Sequence, residues 1–146
     1  MKTGLPILLI EDSPDDVFLF TRALSKARRP HPLHVVNSGS EAIEYLSGAG
    51  KFSDRDASPL PDLIMLDLKM PGMSGFDVLK WIRADNIARL IPVIVLSSSA
   101  LTGDVNRAYS MGANAYMVKP ADPVALERLI QTISDFWYAG EKPEHR

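Results

Sequence analysis

Five short, almost unbroken apolar runs punctuate the chain: PILLIE (6–11), LHVV (33–36), DLIML (62–66), PVIVLS (92–97) and AYMV (115–118). Runs of that length read as strands, and apolarity with so little alternation predicts strands covered on both faces, the habit of a parallel sheet. Amphipathic stretches at about 14–27, 39–48, 75–85, 103–111 and 122–138 separate them and carry helical spacing. Strand then helix, repeated along the chain, predicts an α/β domain with right-handed crossovers. At 146 residues with 46% hydrophobic content, the expectation is one domain spanning 1–146, with a core over about 6–138 and frayed tails at 1–4 and 139–146.

Composition removes several classes of function. With no cysteine, disulfides, thiolate chemistry and zinc–cysteine sites are excluded, which fits a reducing cytoplasm. Neither a signal-peptide pattern nor a membrane-length apolar run is present, so a soluble, unexported protein is expected. A net charge of −2 argues against nucleic acid as the main partner, because phosphate binding needs a concentrated positive field. The basic cluster Lys26, Arg28 and Arg29 reads as the solvated end of a helix, where cations suit the dipole.

Local signals mark several helix starts. In SPDD, Ser13 can cap, Pro14 suits the first helical position, and Asp15 and Asp16 read as helix-start residues favoured by the dipole. SGSE (38–41) has capping-box spacing, which gives Glu41 a structural task. AGKFSDRDASPLP (49–61) is long for a connection in a compact domain and reads as a surface excursion.

Chemistry gathers at the strand ends. In an open parallel sheet, ligands bind beyond the carboxyl ends of the strands, near the point where strand order reverses. The first strand runs into Glu11 and Asp12, the third into Asp67, the fourth into Ser97, Ser98 and Ser99, and the fifth into Lys119 and Pro120. Carboxylates brought together repel one another, so they require either a cation or raised pKa values. An all-oxygen set suits a hard ion such as Mg2+ or Mn2+. Lys119 supplies a compact positive charge and Ser97 a hydroxyl, so the set contains the parts of phosphoryl transfer: a nucleophilic oxygen, a metal and a lysine.

At these residues the sequence resembles the receiver domain of two-component response regulators, over nearly everything from Pro6 to Trp137. Glu11–Asp12 stands at that family's acidic pair, Asp67 in DLKMPGMSG at its phosphoacceptor, Ser97 at its switch hydroxyl, Tyr116 at its switch aromatic, and Lys119–Pro120 at its KP motif. The resemblance implies a flavodoxin-like, doubly wound sheet of five parallel strands in order 2-1-3-4-5. It implies that Asp12 and Asp67 bind Mg2+ or Mn2+ directly, that Glu11 acts through a metal-bound water, and that the backbone carbonyl of Lys69 is a further ligand. Ser97 would turn towards the phosphoryl group, Tyr116 would follow inward, and Lys119 would contact the aspartyl phosphate, its bond to Pro120 being cis. Pro71, Gly72 and Gly75 would shape the neighbouring loop. Ala121 stands where many receivers have phenylalanine.

The receiver pattern leaves no room for an effector, so the signal is expected to leave by protein contact. Phe136, Trp137 and Tyr138 are consecutive on the last helix and cannot all face the core, which makes them candidates for an interface. The ending DFW, the expanded loop 49–61 and the opening EDSPDDV resemble the stand-alone receivers associated with bacterial phytochrome histidine kinases, whose members are often dimeric. A sensor histidine kinase, a downstream protein target and a second copy are the partners this implies. Competing readings are a phosphorylation-independent docking module, a flavodoxin-like binder and an aspartyl-phosphate hydrolase. The hydrolase needs a second aspartate where Lys69 stands, and no GxxxxGK[ST] or GxGxxG exists to hold a nucleotide.

Overall fold

A computed structural model describes residues 5–27 and 31–143. Arg28 and Arg29, Met1 to Gly4 and residues 144–146 lie outside the described residues. The strands are β1 (Ile7–Ile10), β2 (Leu33–Val36), β3 (Leu63–Leu66), β4 (Val93–Ser97) and β5 (Ala115–Val118). They form one parallel sheet in the order β2-β1-β3-β4-β5, as the sequence predicts. The helices are α1 (Pro14–Ser25), α2 (Gly39–Ser47), α3 (Gly75–Ala84), α4 (Thr102–Ser110) and α5 (Pro123–Ala139).

Side chains along each strand alternate between two cores. Leu8, Ile10, Ile64, Leu66, Val93 and Val95 pack with Ala42, Leu46, Val78, Leu79, Ile82 and Ala108 of α2, α3 and α4. Ile7, Leu9, Leu63, Met65, Ile94 and Leu96 face the other way, against Phe20, Ala23, Leu24, Leu126, Ile130 and Ile133 of α1 and α5. Every residue of β1, β3 and β4 is buried, whereas β2 and β5 are only partly covered. Two-sided cover therefore holds at the centre of the sheet and relaxes at its edges.

The helix starts follow their sequence signals. Ser13 accepts a hydrogen bond from the Asp16 N–H with Pro14 in the first turn, and Asp122 caps α5 ahead of Pro123. Ser38 caps α2, but Glu41 departs from a strict capping box: it accepts from the Asn37 N–H and pairs with Lys51. Lys26 ends α1 in an ion pair with Glu127 of α5. The excursion at 49–61 contains a 3-10 turn (Gly50–Phe52) and is tied down by Arg55, which donates to the carbonyls of Tyr45, Leu46 and Ser58. Ala139 still belongs to α5, one residue past the expected core boundary, and Lys142 donates to the Tyr138 carbonyl. Among the described residues no helix is long and apolar enough to cross a membrane.

Candidate functional site

Parallel strands of matched register end on one rim. Ile10 of β1 stands level with Leu66 of β3, so the next residues, Glu11 and Asp67, emerge side by side. Asp67 is fixed by its own N–H, which donates to the Ile10 carbonyl, and its carboxylate accepts from the Lys69 N–H. Ser97 closes β4, fully buried, and its carbonyl accepts from the Lys119 N–H, which brings the end of β5 to the same rim.

One carboxylate oxygen each from Glu11, Asp12 and Asp67 lies within 4.8 Å of the others. An ion with bonds of about 2.1 Å places opposite ligands about 4.2 Å apart, so a slight closure would let these oxygens share one such ion. The donor set is all oxygen, as a hard divalent cation requires.

Lys119 Nζ enters this cluster. It lies 2.5 Å from Glu11 Oε1, 2.9 Å from Asp16 Oδ2 and 3.5 Å from Asp67 Oδ2. Glu11 is nearly inaccessible, and its second oxygen accepts from the Ser13 N–H. Burial, reinforced by the neighbouring Asp67 carboxylate, outweighs the Lys119 hydrogen bond and pushes the Glu11 carboxyl up to about 7. For Lys119, burial disfavours the ammonium, but the hydrogen bonds it donates to Asp16 and Glu11 and the charge of Asp67 prevail and hold it above the ordinary lysine value.

A second cluster lies behind the rim. Ser97 Oγ accepts from the Ser99 N–H, Ser99 Oγ donates to Asp104 Oδ2 at 2.6 Å, and the Tyr116 hydroxyl donates to the Ser99 carbonyl at 2.8 Å. Tyr116 packs against the core on the α2–α4 face and already lies inward. The Lys119–Pro120 peptide is trans, since no described bond is cis, which corrects the cis expectation. Even X–Pro bonds favour trans by roughly 0.5–1 kcal/mol.

Phe136, Trp137 and Tyr138 do not share the rim. Phe136 is 75% exposed, Trp137 is buried in the α1–α5 core, and Tyr138 sits half-covered with its ring edge-on to His31. Sequence reasoning missed two groups. Asp16 joins the rim although it reads as a helix-start residue, because the first turn of α1 carries it back over the end of β1. Asp104 anchors Ser99, for which the only signal was its place in the first turn of α4, whose cap, Leu101, has no capping side chain.

Comparison with known proteins places this geometry. Residues 7–131 match the model of the response regulator receiver domain. Response regulator Rcp1 of Synechocystis is 34% identical over 131 residues, 90% of this chain and 87% of that protein. The structure of the Mn2+-bound form of Rcp1 superposes with a TM-score of 0.88 at 32% identity, covering 97% of this chain and 100% of that one. The phosphorylated cyanobacterial phytochrome response regulator RcpA gives a TM-score of 0.91 at 34% identity, with 97% and 100% covered. RPA3017, from red light signaling in R. palustris, gives 0.89 at 33% identity over 96% of this chain and 99% of that one. The acidic cluster of Glu11, Asp12 and Asp67 fits the divalent metal site of a receiver. The chain belongs to the response regulator receiver domain family.

Proposed function

We propose that Asp67 is the phosphoacceptor of a receiver that spans residues 1–146 and takes its phosphoryl group from a phosphohistidine of a sensor histidine kinase. The observation that carries this reading is the convergence of the Glu11, Asp12 and Asp67 oxygens within 4.8 Å, with the Lys119 ammonium 3.5 Å from Asp67. An Asp67 oxygen forms the new O–P bond as the P–N bond breaks, and the imidazole leaves with the electron pair and takes up a proton. A divalent ion, when bound, supplies the charge neutralisation this crowding of anions needs. Asp12 and Asp67 would hold it directly, with Glu11 acting through water and the Lys69 carbonyl completing the protein's share. Lys119 contacts the transferred group.

The added dianion demands new donors, and Ser97 meets it by giving up its hydrogen bond from the Ser99 N–H. Tyr116 and the β5–Pro120 end read that change, because Tyr116 is bonded to the carbonyl of the same Ser99. The protein acts as a signalling component in the cytoplasm, its chemistry limited to its own phosphorylation and dephosphorylation. The kinase is a bacterial phytochrome, a reading supported by the similarity to the phytochrome response regulator RcpA and to RPA3017 of red light signaling. Output passes to a protein target or a second copy through the face that carries Phe136.

The test is intact mass after incubation with Mg2+ and acetyl phosphate, beside Asp67→Asn. A gain of one phosphoryl by the parent and none by the variant is expected. Equal labelling of both removes Asp67 as the site.

A further inference from the structure

Asp16 has no place in the reading above, yet it makes one of the two short contacts of the Lys119 ammonium. Nζ lies 2.5 Å from Glu11 and 2.9 Å from Asp16 but 3.5 Å from Asp67, so the cation is drawn off the proposed phosphoacceptor towards α1. The hold is rigid at its base. The Asp16 N–H donates to the capping Ser13 hydroxyl, which fixes the backbone, while the carboxylate reaches across the rim. Both ends are partly screened from water, with 12% of the Lys119 side chain and 35% of that of Asp16 accessible, so their attraction exceeds that of a surface pair. Glu11, the other anchor, belongs to the metal cluster, and a cation there competes with Lys119 for its charge. Asp16 lies outside that cluster and can keep the ammonium when Glu11 turns to a metal.

Resting on the assignment of Asp67 as phosphoacceptor, we infer that Asp16 is a positioning residue that parks the Lys119 ammonium beside Asp67 rather than on it. Asp67 is thereby left open to the metal, and Lys119 swings from Asp16 to the phosphoryl group once that group arrives. The arrangement sets two affinities in opposition. Without Asp16 the ammonium closes on Asp67 and Glu11, so Mg2+ binds more weakly. An anion that needs Lys119 then binds more tightly, because no ion pair has to be broken.

The experiment measures Mg2+ binding by titration calorimetry, then beryllofluoride binding at saturating Mg2+, for the parent, Asp16→Asn and Asp15→Asn. Asp15 is exposed on the same turn with the same charge and serves as the control for long-range electrostatics. For Asp16→Asn, the Mg2+ dissociation constant is expected to rise about threefold to tenfold and that of beryllofluoride to fall by a similar factor, as loss of one neighbouring charge implies. Asp15→Asn is expected to leave both nearly unchanged. In the metal-free protein, the Lys119 side-chain NMR signal is expected to move in Asp16→Asn and not in Asp15→Asn. Identical behaviour of the two variants, or both constants of Asp16→Asn moving in the same direction, overturns the inference. Beryllofluoride failing to bind the parent would instead overturn the phosphoacceptor assignment, while the Lys119 signal in metal-free protein still decides the role of Asp16.

Discussion

At the scale of single residues, the rim concentrates anions that folding alone would not tolerate, and Glu11 shows the consequence. Its carboxyl is pushed from 4.5 to about 7 by burial, so the folded protein binds this proton more tightly than the unfolded chain does. A raised carboxyl pKa contributes stability that is complete below about 4.5 and is lost as pH rises through about 7. Metal-free protein should therefore lose stability between about pH 4.5 and 7, and Mg2+ should restore it at the upper end, by about 2.7 kcal/mol at a hundredfold excess over its dissociation constant. Urea midpoints for the parent and Glu11→Gln, with and without Mg2+, check this; an undiminished pH slope in Glu11→Gln would assign the effect elsewhere.

Gly75 carries the second residue-scale argument. A Cβ there would lie 2.3 Å from the Asp67 carbonyl oxygen and 2.6 Å from Leu68 Cα, both backbone atoms that cannot move aside cheaply. Sequence reasoning gave Gly72 and Gly75 one shared purpose, conformational freedom. Only Gly72 uses it, with φ at 75°, whereas Gly75 is needed for space. Gly75→Ala should cost about 1–3 kcal/mol by overpacking. Because the atom it strikes belongs to Asp67, beryllofluoride binding should weaken as well. A variant as stable as the parent in a urea melt would show that the helix can back away.

Elements were the most legible scale, for a physical reason. Each strand lies within a residue of its apolar run, because period and burial are written in adjacent side chains. Segment 49–61 was legible only as an excursion, since what orders it is a pairing between distant groups. Arg55 satisfies the carbonyls of Tyr45 and Leu46 at the end of α2, Gly48 turns the chain there with φ at 68°, and the Tyr45 hydroxyl returns a bond to the Pro59 carbonyl. No local pattern announces a guanidinium as a helix cap. Arg55→Ala should destabilise by about 1.5–3 kcal/mol, the range for hydrogen bonds to a charged group. It should also speed amide exchange in 45–60 while leaving β3 protected. Uniform acceleration across the sheet would mean that the loop is not a separable unit.

For the whole molecule, the two faces of the sheet have different work. The α2–α4 face holds Tyr116 and the Ser99 cluster, and the α1–α5 face is the sealed one, closed at its far end by Trp137. The aromatic trio at the end of α5 was legible as unable to face one way, but not which ring would turn inward, because that depends on the crossing of α5 over α1. The structure divides it sharply: Trp137 is 8% exposed and Phe136 75%. Trp137→Ala should therefore cost about 3–5 kcal/mol, as large aromatic deletions in a core do. Phe136→Ala should change stability by no more than about 0.5 kcal/mol, as surface substitutions do. If the signal leaves by protein contact, the same Phe136→Ala should weaken self-association or target binding of the phosphorylated protein by tenfold or more, since about 1.4 kcal/mol is a modest loss for an aromatic anchor. Sedimentation velocity with and without beryllofluoride, run beside urea melts, separates the two effects. Phe136→Ala that retains parental stability and parental association would move the output surface away from the end of α5.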